Sequence, residues 1–176
     1  MEYSTGGTTA AGRYAQLQSS RSTFDREAKD SSKLTIPSLI PESTVGTKAK
    51  IKTPFQAVGA RGVNSLASKL LFALLPPSTA FFKLSIDSLE LLKQGQEGLE
   101  TEIDKGLRTI ETALMNEIEI SNDRVAMFEA LKHLIVGGNV LLYLTDDGLK
   151  VYPLSKFVCK RDAVGNVLEI ITQESV

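Results

Sequence analysis

The sequence predicts an α+β fold: an N-terminal helical arm, three to four amphipathic helices, then antiparallel β-hairpins. Three observations predict it. Over residues 54–75, 99–120 and 123–136 apolar side chains recur at three-to-four spacing, the period of an α-helix. From Asn139 onward the period is two, as in a half-buried strand. Pro76-Pro77, Gly137-Gly138 and Asp146-Asp147-Gly148 punctuate the chain where such elements have to stop or turn. With 176 residues, 42% hydrophobic and 23% charged, the chain can bury a core without a metal or a disulfide.

Taken in order, residues 1–9 are Gly/Thr-rich with little to bury and read as disordered. Residues 10–31 suit a polar helix with a thin stripe of Tyr14, Leu17, Arg21 and Phe24, an arm that needs a partner surface. Residues 34–53 carry Pro37 and Pro41, which push Ile36 and Ile40 toward extended backbone. This is an ordered loop that pins its Leu and Ile side chains on a neighbour. Over 54–75 the pattern is a helix with Thr53 at the N-cap, Pro54 at the first helical position and Gln56 at the third, a capping box. Its main stripe is Phe55, Val58, Gly62, Leu66, Leu70 and Ala73, widened by Val63, Ala67, Leu71 and Leu74. Gly59 and Gly62 each cost about 1 kcal/mol relative to Ala in a helix interior, so a closely approaching backbone is expected there.

Residues 80–87 alternate Phe82, Leu84 and Ile86 with polar neighbours, the pattern of a half-buried strand. Residues 88–94 suit a helical turn or two. A helix over 99–120 carries Leu99, Ile103, Leu107, Ile110, Leu114 and Ile118 on one stripe. Ser121-Asn122-Asp123 breaks and recaps the chain. The helix 123–136, with Val125, Phe128, Leu131 and Ile135, is richer in apolar residues all round (Ala126, Met127, Ala130, Leu134) and is expected to be the most buried. Residues 139–145 and 149–153 form one hairpin, and 156–161 and 167–173 a second. Ending soon after a strand leaves an unprotected edge, which suggests the front of a longer polypeptide or one lobe of an assembly.

The net charge of −1 supplies no global attraction to nucleic acid or an anionic membrane. It is unevenly spread: +3 over 1–53, +3 over 54–86 with no acid at all, −7 over 87–123 and zero beyond. A solvated helix face is the ordinary explanation of the acidic stretch; a surface that repels nucleic acid or meets a basic partner is the sharper one. A single cysteine, Cys159, and a single histidine, His133, exclude a disulfide framework and any site requiring two imidazoles. No apolar run reaches the roughly 18 residues that span a bilayer, and the start lacks a secretory apolar region. The expectation is a soluble, non-secreted chain.

Candidate chemistry is sparse. Glu129 and His133, four apart on one helix, can form a base and its orienting carboxylate or half a metal site, although a hydrogen-bonded interface histidine explains them more simply. Cys159 reads as a strand thiol, and Asp146-Asp147-Gly148 as a turn, since a calcium loop lacks its remaining ligands. Gly59-Ala60-Arg61-Gly62 lacks the strand before and the Gly-Lys-Ser/Thr after that a phosphate loop needs. Ser65 and Ser68 have no nearby base. Arg61, Asn64, Ser65, Ser68 and Lys69 can form a weak phosphate-contacting face, or a solvated or subunit-facing stripe. Lys160-Arg161 frames a turn. No catalytic, cofactor-binding or metal-binding set emerges.

Five stretches then carry a family resemblance: LTIPSLIP (34–41), TPFQAVGARGVNSLASKL (53–70), FEALKHLIVGGNVLLYL (128–144), YPLSKFV (152–158) and RDAVGNV (161–167). In order and spacing they resemble the N-terminal part of the head-to-tail connector, or portal protein, of short-tailed, podovirus-type bacteriophages. The resemblance spans about residues 34–176; residues 1–33 match loosely, as a flexible or helical arm. It implies an α/β wing-like domain over 34–176 that continues into a longer chain bearing the stem, tunnel loop, clip and crown. It further implies a non-enzymatic subunit of a twelve-membered ring at one capsid vertex, through which double-stranded DNA is packaged and ejected. The implied partners are sister subunits, the terminase packaging motor, tail adaptor proteins, and capsid, scaffold and internal core proteins, with no membrane. The implied location is the virion, and the host cytoplasm during assembly. The alternative is a nucleic-acid-binding accessory module of a phage particle, using the 54–75 helix and the basic arm.

Overall fold

Thr9 accepts a hydrogen bond from the Gly12 N–H through its hydroxyl oxygen and so caps the first helix, α1 (Ala10–Ser20). The computed structural model describes residues 9–41, 54–77, 80–86, 99–146 and 148–174. The expected stretches 1–8, 42–53 and 88–94 lie outside the described residues. The single polar helix expected over 10–31 is two helices: Arg21 leaves helical geometry, and α2 (Ser22–Leu34) follows it. The remaining helices are α3 (Val58–Leu74), α4 (Leu99–Ile120) and α5 (Asp123–Gly137). Strands β1 (Leu141–Thr145) and β2 (Gly148–Tyr152) form one antiparallel hairpin, with Leu141 opposite Tyr152. A 3-10 turn at Leu154–Lys156 leads to a second, β3 (Phe157–Arg161) with β4 (Val167–Thr172), whose register shifts at Lys160/Arg161.

Helix α5 is the hub. It packs against α3, β2, α2 and α4, and it buries Ala130, Leu131, His133 and Val136. That burial follows from its composition, since apolar residues spread around much of the helix and it packs on several sides, leaving Val125, Glu129 and Leu134 exposed. Gly138, in the left-handed conformation with φ 68°, ends it and turns the chain toward β1. The Asp123 carboxylate accepts a hydrogen bond from the Leu149 N–H at 2.8 Å. The expected recapping at 121–123 therefore takes another form: Asn122 makes no side-chain cap bond, and Asp123 ties the start of α5 to the first hairpin instead.

A second group of buried residues, Ala28, Ile40, Tyr152, Leu154 and Phe157, joins α2, the proline loop and the two hairpins. Ser32 organises this group. Its fully buried hydroxyl donates to the Ile36 carbonyl (2.8 Å) and accepts from the Ile40 N–H (3.2 Å). The loop is thereby held so that Ile40 packs on α5 at Gly137, as the pinning of its apolar side chains predicts.

The arm lies along the second hairpin. The Tyr14 hydroxyl donates to the Ser155 carbonyl at 3.1 Å, and the Arg21 guanidinium donates to the Leu154 carbonyl at 2.6 Å. Arg21 also pairs with Asp25 at 3.0 Å and lies over the Phe157 ring, while Arg13 donates twice to one Glu169 carboxylate oxygen. Burial pushes the Tyr14 phenol above its ordinary pKa, which keeps it a donor at neutral pH.

Two expectations are corrected. Helix α3 begins at Val58 rather than residue 54, and Pro54 and Gln56 precede it. Phe55 and Gln56 are exposed, with no described residue packed over them, so a first turn there gains no tertiary support from the described residues. Residues 80–86 pair with no strand among the described residues. The Leu84 N–H donates instead to the Glu111 carboxylate on α4 at 2.6 Å, so a helix side chain replaces the partner strand.

The two glycines of α3 separate. A Cβ on Gly59 would stand 2.4 Å from the Leu34 carbonyl oxygen, so the close approach expected there exists, between α3 and the end of α2. A Cβ on Gly62 would meet nothing within 4 Å among the described residues. Gly59→Ala is therefore expected to destabilise by about 1–3 kcal/mol through overpacking against backbone. Gly62→Ala is expected to stabilise the single chain by up to about 1 kcal/mol. Urea midpoints at matched slope measure both. Arg21→Ala should cost about 1–3 kcal/mol by stranding the Leu154 carbonyl. Arg13→Ala should cost no more than about 1 kcal/mol. Faster amide exchange in α1 and α2 would accompany the Arg21 loss.

Candidate interaction surfaces

Sequence reasoning singled out the polar side of α3 and the Glu129/His133 pair. On α3, Arg61, Asn64, Ser65 and Lys69 are exposed, while Ser68 is half-buried and donates to the Asn64 carbonyl at 2.8 Å. The structure also places Val58, Leu66 and Phe72 in solvent among them. The face buried by this chain is Val63 and Ala67, flanked by Leu70 and Leu71. The expected main stripe is therefore corrected: it is mostly outward-facing, and of the residues assigned to widening it Val63, Ala67 and Leu71 turn inward while Leu74 is exposed. The reason is geometric. Val63 and Ala67 are the small side chains that let α3 approach α5, and turning them inward rotates Val58, Gly62, Leu66 and Phe72 outward.

Helix α4 is displaced in the same sense. It buries Met115, with Leu107, Glu111 and Ile118 half-buried, and leaves Ile110 and Leu114 of the expected stripe exposed. Glu102, Asp104 and Glu117 are exposed beside them. Between α4 and the extended segment at 80–86 lies an open groove of about 460 Å³, lined by Arg108, Glu111, Met115 and Asn116 among others. In the hairpins, Tyr143 and Leu144 project into solvent near the turn, and Leu168 and Ile170 of β4 are exposed.

The Glu129/His133 pair is not arranged as an accessible base. His133 is only 5% exposed, its Nε2 lies 3.8 Å from Glu129 Oε1, and its Nδ1 is buried without a hydrogen-bond partner among the described residues. Burial lowers its pKa below the ordinary imidazole value, more than the Glu129 carboxylate raises it. Cys159 is a half-buried free thiol on β3. The turn after Arg161 is held by Asp162, whose carboxylate accepts from the Val164 and Asn166 N–H groups and the Asn166 side chain. Those bonds, the Asn166 side chain's first, hold the Asp162 carboxyl below its usual pKa. Among the described residues no group of three His, Cys, Asp or Glu is placed to hold a metal, and no helix is long and apolar enough to cross a membrane.

Sequence reasoning missed Phe72, which falls off the stripe it counted, and the Arg13–Glu169 contact, for which the sequence carries no local signal. Tyr14 and Arg21 were legible as one stripe, but their polar ends rather than their apolar bodies make the contacts.

What the fold and its surfaces define is a structural α+β module with uncovered apolar helix faces. Comparison with known proteins narrows the class. The family model described as bacteriophage head to tail connecting protein matches residues 7–176. The portal protein of Escherichia phage T7 is 42% identical over 171 residues, covering 93% of this chain and 32% of that protein. That of Enterobacteria phage T3 is 42% identical over 170 residues, covering 93% and 31%, and that of Enterobacteria phage SP6 is 32% identical over 168 residues, covering 90% and 31%. The chain belongs to the bacteriophage head to tail connecting protein family. It spans about a third of the length of the curated relatives it matches.

The buried imidazole gives a pH prediction. His133 is neutral in the fold and binds its proton more weakly there than in the unfolded chain, whose imidazole titrates near 6.5. The stability this preserves is complete above that value and falls as pH drops from about 6.5 toward the lower folded value. Urea midpoints from pH 7.5 to 5 should fall in the parent chain, and His133→Phe should remove that slope within this window.

Proposed function

We propose that the chain is a structural subunit of a phage portal, the head-to-tail connector ring at the capsid vertex through which double-stranded DNA enters and leaves. One observation carries the proposal: similarity to portal proteins runs through nearly the whole chain, at 42% identity over 93% of it for the T7 protein. The matched third forms the outer wing-like lobe, with residues 1–33 as its arm and 34–176 as its body, and the stem, clip and crown lie in chain beyond it. Twelve copies form the ring. The packaging motor docks on it first and tail adaptors replace the motor, while capsid, scaffold and internal core proteins meet the wing. The protein resides in the virion, and in the host cytoplasm during assembly.

The role is mechanical rather than catalytic. Packed wings set the angle between neighbours, and the acidic α4 presents a surface that DNA does not adhere to. Support comes from the charge distribution, with six acids and two bases over 99–120, and from the uncovered apolar faces, which a subunit of a larger body needs. A nucleic-acid-binding module is not favoured: the basic side chains of α3 number two and are interleaved with exposed apolar ones.

Particle reconstruction tests the proposal, with density for this chain expected only at the unique genome-entry vertex. Reversing Glu102 and Asp104 to lysine should lower packaged DNA per particle or ring yield. Unchanged DNA content and ring yield would leave α4 as an ordinary solvated face.

A further inference from the structure

The geometry points to a head-to-tail contact in which the outward face of α3 on one copy of this chain packs against the outward face of α4 on the next. This inference rests on the portal reading and names the surfaces by which its subunits meet.

Both faces are apolar, exposed and of opposite charge. On α3 the outer face carries Val58, Leu66 and Phe72, with Arg61 and Lys69 and no acid anywhere in the helix. On α4 it carries Ile110 and Leu114, with Glu117 at +3 from Leu114 on the same side and an excess of four acids over the helix. Among the described residues, Arg61, Lys69 and Glu117 form no ion pair. Among the described residues neither face is therefore satisfied, and each supplies what the other lacks.

Two further observations fit this occupant. Gly62 on α3 and Gly106 on α4 each leave space in which a Cβ would meet nothing within 4 Å. Glycine in a helix interior weakens the helix, and here the chain itself gains no contact in exchange; a helix of a second copy can approach closely at both places. In addition, a contact between two different patches of the same chain is heterologous, the kind that propagates and closes into a ring when the rotation fits. Burial of Leu66, Phe72, Ile110 and Leu114 supplies most of the affinity, while the Lys69–Glu117 pair fixes register and excludes α4 against α4.

The test uses single-cysteine forms of the full-length chain, with Cys159 and every other native cysteine replaced by serine. Lys69→Cys and Glu117→Cys proteins are oxidised separately and as a mixture. The expected result is a covalent dimer in the mixture and little in either protein alone. Charge reversal gives an independent reading by native mass: Lys69→Glu and Glu117→Lys should each raise the concentration for half-assembly about three- to tenfold, and the doubly reversed chain should return near the parent value. Either single-cysteine protein cross-linking efficiently with itself would overturn the head-to-tail arrangement. Parent-like rings with no cross-link in the mixture and no response to charge reversal would overturn these faces while leaving the ring intact. A full-length parent chain that stays monomeric under every assembly condition would instead overturn the ring itself.

Discussion

Helix α5 spreads apolar residues around much of its circumference, and such a helix has to be packed from more than one side. Its neighbours α3, β2, α2 and α4 hold most of the residues in the described helices and strands. The other elements are too thin in apolar residues, or too short, to stand alone: α2 buries only Ala28 and Ser32, and each sheet has two strands. Remove α5 and α3 loses the helix against which it buries Val63 and Ala67, while the small group around Leu154 and Phe157 still joins the arm to the hairpins. The buried His133 is tolerable in this position because a neutral imidazole can occupy an apolar helix at far smaller cost than a charged one.

The elements that speak for themselves in sequence are those whose pattern is local. The bounds of α4 follow from its stripe and the Ser121-Asn122 break, and both hairpins follow from period-two runs flanking turn residues. What was illegible depended on partners far along the chain. The start of α3 looked capped by Thr53 and Pro54, but helix formation there depends on what packs over Phe55, which no local pattern reveals. The run at 80–87 alternates in sequence as a strand does, but over 80–86 it pairs with no strand among the described residues, and Glu111 from α4 accepts the Leu84 N–H instead. Ser32 reads as an ordinary helix serine, yet its hydroxyl organises the proline loop.

The candidate surfaces show a subtler limit. Periodicity identified the apolar stripes of α3 and α4 but could not say which edge of each stripe faces the chain's own core. In a self-sufficient domain the richest edge would turn inward. Here the small residues Val63 and Ala67 turn inward and the bulkier ones outward. Such an inversion costs little within the chain, because small side chains permit close helix approach. It makes sense when the outward edge is buried by something else, as in a subunit of a larger body.

The contacts of the arm join the two ends of the matched segment: Arg13 reaches Glu169, Tyr14 reaches Ser155 and Arg21 reaches Leu154, across separations of 156, 141 and 133 residues. A polypeptide emerging from the ribosome delivers the arm well before the hairpin on which it docks. Until residues 154–169 have been made, α1 lacks the surface it rests on, and loop closure over such distances is slow. The outermost helix thus stays available to other molecules while the intervening elements are synthesised.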